Sequence, residues 1–375
     1  MQMQQIARGW LVYDLTESPL ALGIIMLSFS GPMAIFSLFG GALADRVHKI
    51  KLVIIIHCLN IILVFMMATL ISFGIIRFWH LVVFGLINGS LIALQVPSRQ
   101  SIVPEIVNES RLINAIALNA SGQNLARIIG PAIAGIIIAI FGTGVVFYTI
   151  GFIYIFSVLF IYQVRVKERI LRNPNGILKD ISQGFKYVIG NSTLRNLIIL
   201  ASMCILIGMM TFQSLIPAWS VEALNVGAEG LGLLMAMMGI GAVFGALFIA
   251  SLGGNHRKGL ILIGSTIAWA VFLFIFSKST NITLAFGLLI IIGFFSATFL
   301  ALNQSLVQLY SDREMRGRVM SITVMSWGLM PFGVLPIAAL AEQIGTPNAL
   351  AASSIILCVF GIIFAIFNRK FTTSL

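Results

Sequence analysis

A chain of 375 residues in which 59% are hydrophobic and only 9% charged lies far outside the composition of a soluble domain. Apolar runs of about 20 residues, enough to cross roughly 30 Å of hydrocarbon, recur from end to end and leave no gap for a soluble domain. The formal net charge of +11 would suit nucleic acid as well as cytoplasmic loops, so its meaning depends on where the Lys and Arg lie.

In chain order, a short apolar segment at 3–14 precedes eleven expected spans: 20–43, 52–74, 78–97, 114–142, 144–163, 194–219, 228–252, 259–277, 282–308, 318–341 and 347–367. The runs are unbroken rather than alternating, which predicts helices and not barrel strands, hence an all-α integral membrane fold. Between spans, the segments 44–51, 98–113, 164–195, 253–258, 309–318 and 368–375 hold 19 of the 23 Lys and Arg, while the alternate loops hold Arg77 and Lys278. Acidic residues show no such bias. This is the positive-inside pattern: it places the basic segments and the C-terminus in the cytoplasm of a multi-pass cell-membrane protein and argues against a nucleic-acid partner. Cys58, Cys204 and Cys358 lie apart within spans and the four His are scattered, so neither a metal nor another cofactor is expected.

The first half repeats in the second. At one offset Trp10 falls on Trp219, Gly23 on Gly232, Leu43 on Leu252 and Lys49 on Lys258, and after a slip Gln100 falls on Gln304, Arg111 on Arg316 and Pro131 on Pro336. Six spans per unit leave the two units in the same orientation, giving an N-terminal bundle 1–163, a cytoplasmic connector 164–193 and a C-terminal bundle 194–375. Two parallel bundles enclose a cavity near the midplane that opens to either side by rocking. Only nine residues precede Trp10, against about 25 before Trp219 in its span, so the first helix is expected to lack its beginning.

Three stretches carry a family resemblance. GGALADRVHKIK, Gly40 to Lys51, resembles the signature loop of the major facilitator superfamily through Gly41, Leu43, Asp45, Arg46 and Lys49, with His48 where a Gly is usual. Val96 to Gly135 is similar to the drug:proton antiporter branch that holds macrolide-efflux proteins and the enterobactin exporter. The matching residues include Pro97, Arg99, Gln100, Asn114, Asn119, Ala126, Arg127, Gly130 and Pro131, in a turn at Pro97–Gln100 followed by a helix. RGRVMS, Arg316 to Ser321, resembles the same branch. The resemblance covers essentially the whole chain and implies the major facilitator fold, two parallel six-helix bundles.

Within that frame Gly41, Asp45, Arg46, Lys49 and Arg99 are the expected cytoplasmic gate. The latch is one-sided, because Gly254 stands where a second Asp45 would fall. A Pro within a span breaks one backbone bond, so Gly130 and Pro131 are a candidate hinge. Arg127, about thirteen residues into its span, is costly there unless it faces a cavity or a partner; Asn119 and Gln123 share its helical face. That leaves open a binding role or a structural charge paired with a carbonyl or a neighbouring helix. Asn88 and Gln95 on the fourth span, Thr211 on the seventh and Asn303 on the tenth complete the expected cavity, because the resemblance implies that the first, fourth, seventh and tenth spans line it. Ser296, Phe299, Gln213 and Ser214 share those faces, and Met235, Met237 and Met238 offer an adaptable apolar wall.

The expected function is a secondary transporter, monomeric and not an enzyme, exporting an amphipathic or hydrophobic small molecule such as a drug, macrolide or siderophore-like compound in exchange for protons. Export rests on the resemblance alone. No carboxylate sits in the middle of a complete span, so Asp14 is the coupling candidate, or the acid lies upstream of Met1. ATP coupling lacks a GxxxxGK[ST] loop, and neither HExxH nor GxSxG occurs. The alternatives are a nutrient uptake carrier or a transport-dead membrane scaffold or sensor.

Overall fold

The computed structural model describes residues 2–44, 48–106, 112–164, 177–252, 258–312, 315, 319, 322 and 330–368, which are helical apart from short connections. The first half holds α1 (Gln2–Thr16), α2 (Pro19–Ala44), α3 (Lys49–Ser72), α4 (Phe78–Ile106), α5 (Leu112–Phe141) and α6 (Thr143–Tyr162). After α7 (Ile177–Gly190), the second half opens with one continuous helix made of α8 (Ser192–Met203), a π-helical stretch (Cys204–Met210) and α9 (Thr211–Leu224). It continues with α10 (Ala228–Ser251), α11 (Lys258–Ser277), α12 (Ile282–Tyr310), α13 (Met330–Ile344) and α14 (Thr346–Phe367).

Among the described residues eight helices are long and apolar enough to cross a membrane, and α2, α5 and α13 carry shorter apolar stretches. The described helices match the expected spans to within about five residues, except that most of 318–329, the first half of the span expected at 318–341, lies outside the described residues, and there are two differences. Where the sequence suggests a turn at Pro97–Gln100, α4 runs on through Pro97 to Ile106. A proline removes one backbone bond and bends a helix, but flanking bonds keep it going. Inside the basic connector the chain forms α7, which turns Gly184 and Val188, one helical turn apart, inward.

Large apolar side chains such as Ile62, Phe160, Leu247 and Phe367 point outward, more than half exposed. In water such a surface would aggregate; in a bilayer it is the correct face. Inside each half the same pairs recur: α2 packs on α4 and α3 on α6, as α10 packs on α12 and α11 on α14. Small residues allow the close approach, since a Cβ on Gly89 would run into the Phe29 carbonyl and one on Gly241 into that of Ile290.

The halves meet along two seams, α5 on α10 and α2 on α13, with α1 facing α9 between them. There Gln5 Nε2 donates to Gln213 Oε1 (3.1 Å) and the Tyr13 hydroxyl donates to Glu222 Oε1 (3.3 Å). The second pair is 209 residues apart, the offset that puts Trp10 on Trp219, and the first is within one residue of it. Residues meet their own counterparts only on a two-fold axis, so α1 and α9 lie along the pseudo-symmetry axis of the molecule.

The π-helical stretch leaves backbone groups without regular partners. Thr211 Oγ1 donates to the Leu206 carbonyl (3.0 Å) and Ser353 Oγ to that of Ile207 (2.6 Å), which holds the widened turn in place.

Candidate functional site

Between the halves lies a cavity of about 1240 Å³, its open mouth included. Residues of α1, α2, α4, the π-helical stretch with α9, α10 and α12 line it, so both halves contribute. Its wall is apolar and pliant: Met26 and Met33 from α2, Met209 and Met210 from the π-helical stretch, Met235 and Met238 from α10, and Phe29. Unbranched thioether side chains adapt to guests of different shape.

Much of the polar lining comes from α1. Gln4 and Arg8, one helical turn apart on α1, both face the cavity, and both are nearly buried, at 4% and 7% exposure. The Arg8 guanidinium sits over the Phe29 ring, 4.8 Å from its centroid, and no carboxylate among the described residues reaches it. Gln4 Nε2 is buried without an acceptor among the described residues. The neighbouring polar groups are engaged: Gln5 with Gln213, Asn88 Nδ2 with Asn60 Oδ1 (2.7 Å), and Ser296 Oγ with the Gly293 carbonyl (3.1 Å).

At the end of the bundle poor in Lys and Arg, which the charge rule expects to face outward and which is termed the outer end, two carboxylates tie the halves together. Glu342, at the end of α13, accepts from Ser18 Oγ (2.9 Å) and from the Leu20 backbone N–H (3.1 Å) at the start of α2. Glu222, at the end of α9, accepts from the Thr346 backbone N–H (2.8 Å) and hydroxyl (2.6 Å) at the start of α14, as well as from Tyr13. Each anion thus caps a helix N-terminus, where unsatisfied N–H groups and the helix dipole favour negative charge. Arg8 lies about two turns inward from this closure.

The profile of the family described as "Transmembrane secretion effector", a branch of the major facilitator superfamily, matches residues 1–374. The chain belongs to that family. The Staphyloferrin A transporter of Staphylococcus aureus is 25% identical to this member over 98% of this chain and 92% of the relative. Enterobactin exporter EntS of Shigella flexneri is 24% identical over 91% of this chain and 81% of the relative. A solved structure of the nucleoside transporter NupG superposes with a TM-score of 0.74 at 15% identity, covering 97% of this chain and 95% of that one, a likeness of fold.

In this member of the family the residues singled out from sequence separate into groups. Asn88 reaches the cavity, as do Ser296, Gln213, Met235 and Met238. Gln95 instead turns to α3, its Nε2 2.6 Å from His57 Nε2, and His57 stacks edge-on against Tyr154 of α6. Thr211 holds the π-helical stretch, Asn303 Nδ2 donates to the Leu197 carbonyl (3.0 Å), and Phe299 packs against Trp269, so the structure places all three away from the cavity. Asn119 is exposed on α5, Arg99 on α4 and Asp14 at the outer end of α1. The side chains of Gln123 and Arg127 lie outside the described part of α5, as do Asp45 and Arg46 of the gate loop; Gly41 falls in the last turns of α2 and Lys49 opens α3.

Gly130 and Pro131 lie where α5 meets both neighbours. A Cβ on Gly130 would come within 3.0 Å of Gln2 Cβ, and the Pro131 carbonyl lies 2.8 Å from where Gly232 would carry one. Arg8 is the residue the sequence reading missed. Its signal was present, as a lone cation one turn after Gln4 in a segment otherwise apolar toward Trp10, but a segment too short to span is not searched for buried charge.

Proposed function

We propose that the chain exports an amphipathic, siderophore-like small molecule from the cytoplasm by alternating access, driven by proton influx. The observation that carries this reading is the cavity shared by both halves and shut at the outer end by Glu342 and Glu222. A binding space at the bundle centre with one end closed is what a rocking carrier needs in the state that loads from the other end. The methionine wall suits the apolar part of a guest, and the polar side of α1 suits its polar part. The exporter direction is supported by the names of the relatives, and inward opening by the Lys and Arg distribution.

For the coupling, no Asp or Glu among the described residues lines the cavity. The carboxylates available to an incoming proton lie at the outer end, Asp14 exposed and Glu222 and Glu342 in the closure. Both Glu side chains are exposed in the closure, and protonating either weakens a charge-assisted hydrogen bond and so favours opening.

Everted membrane vesicles test the reading. With an acid interior they are expected to accumulate hydroxycarboxylate, catecholate or macrolide probes only when the protein is present, and a protonophore is expected to stop accumulation. Uptake that ignores the protonophore would remove proton coupling, and probe leaving the vesicles against its gradient would reverse the direction.

A further inference from the structure

We propose that Arg8 and Gln4 form a carboxylate-binding subsite in the cavity, so that the transported molecule is an amphipathic acid bound through its carboxylate to α1. The inference rests on the transport reading above and narrows its substrate class.

The argument begins with what is left over. A cation in the middle of a membrane protein is costly and is normally matched by a carboxylate or by carbonyls. Arg8 is 7% exposed and none of the described cavity-lining residues is acidic. Among the described residues its guanidinium is met by the Phe29 ring, 4.8 Å away. A cation–π contact gives none of the N–H groups an acceptor, so the planar fork is left for the two oxygens of a carboxylate.

Gln4 supplies the second, independent observation. Its Nε2 is buried, belongs to the lining of the same space and has no acceptor among the described residues. A buried donor without an acceptor destabilises the protein, so a site that keeps one beside an unmatched cation is short of an anion with several lone pairs. Gln5 and Gln213 satisfy each other across the axis and Asn88 is held by Asn60, so these amides stand ready-made around the site. In the same cavity the methionines of α10 and the π-helical stretch offer an apolar wall for the remainder of the molecule. Arg rather than Lys fits this task, because its charge persists at any physiological pH and its geometry selects a planar oxyanion.

The probes are naphthoate, an apolar ring with one carboxylate, and naphthamide, its uncharged counterpart. Equilibrium dialysis against the full protein in nanodiscs, corrected with empty nanodiscs, is expected to show naphthoate bound about tenfold more tightly or better, the worth of a charge-assisted hydrogen bond. Arg8→Gln is expected to erase the preference, Arg8→Lys to keep part of it, and Gln4→Leu to weaken naphthoate alone. Equal binding of acid and amide by the unaltered protein overturns the proposal, as does a preference that survives in a folded Arg8→Gln protein. Should Arg8→Gln unfold, an unchanged preference in both Arg8→Lys and Gln4→Leu overturns it instead. Failure of transport reads separately: acid preference without movement into vesicles removes the carrier role and keeps the subsite, whereas movement of both probes without preference does the reverse.

Discussion

The two seams between the halves are counterparts under the repeat, yet they are built differently. Along α5 and α10 backbone lies on backbone: a Cβ on Gly135 would stand 2.6 Å from the Ala228 carbonyl and 2.9 Å from Gly232 Cα. Along α2 and α13 the glycine meets side chains, with Gly23 facing Ala338 Cβ at 2.9 Å and Leu335 Cδ2 at 3.3 Å. The second seam is tied at its outer end by Glu342, and among the described residues no side-chain hydrogen bond crosses the first. Close packing without polar ties has no bond to break when the halves tilt, while a hydrogen-bonded end has two stable conditions, made and broken. We read α5 and α10 as the pivot of the proposed rocking and the outer end of α2 and α13 as its latch.

The largest effect is expected at the pivot. Gly135→Leu has only backbone to push against, so it should lower stability by about 1–3 kcal/mol and abolish transport. Gly23→Leu, which meets side chains able to yield, should cost less on both counts. Unfolding midpoints and vesicle transport measured side by side would break the distinction if the order came out reversed. A control of opposite sign is Gly122→Ala, where nothing lies within 4 Å; it should stabilise α5 by about 0.5–1 kcal/mol.

A smaller effect is expected at the latch. Glu342→Ala removes an exposed anion from the N-terminus of α2, an interaction worth about 0.3–1 kcal/mol, and so should favour the outward-open state about two- to fivefold. A cysteine placed in the cavity by Met26→Cys reads this as faster labelling by an impermeant thiol reagent added outside. Equal labelling with and without Glu342 would leave the carboxylate as a mere helix cap. Smallest is Asp45→Asn in the gate loop, proposed to slow transport with membrane insertion unchanged; wild-type rates there would remove Asp45 from the gate.

The spans were legible because each is an unbroken apolar run bounded by charge or turn residues, and the repeat was legible because Trp, Gly and Pro recur at a steady offset. That offset carried three-dimensional content: Gly23 and Gly232, matched in sequence, fall on the two seams, and Tyr13 meets its own counterpart Glu222 on the axis. The cavity was legible only in part. In a helical bundle a polar side chain facing another helix has the same sequence pattern as one facing a cavity, so Gln95, Thr211 and Asn303 looked like lining residues although they bond to His57, Leu206 and Leu197. Met235 and Met238, one turn apart, line the cavity, whereas Met237 packs into the core. The π-helical stretch Cys204–Met210 has no local sequence signature; one of the hydroxyls that donate to its carbonyls, that of Ser353, comes from a helix far along the chain.

The central claim is that the outer ends of α2 and α13 separate and rejoin in each transport cycle. Ser18→Cys with Glu342→Cys, in a protein whose exposed Cys58 is replaced, places two thiols on either side of the contact that now joins the halves, for a short reducible bis-methanethiosulfonate cross-linker to span. Cross-linking is expected to stop accumulation in everted vesicles and to leave naphthoate binding from the cytoplasmic side intact, with reduction restoring transport. Transport continuing at the wild-type rate in the fully cross-linked protein would contradict the account.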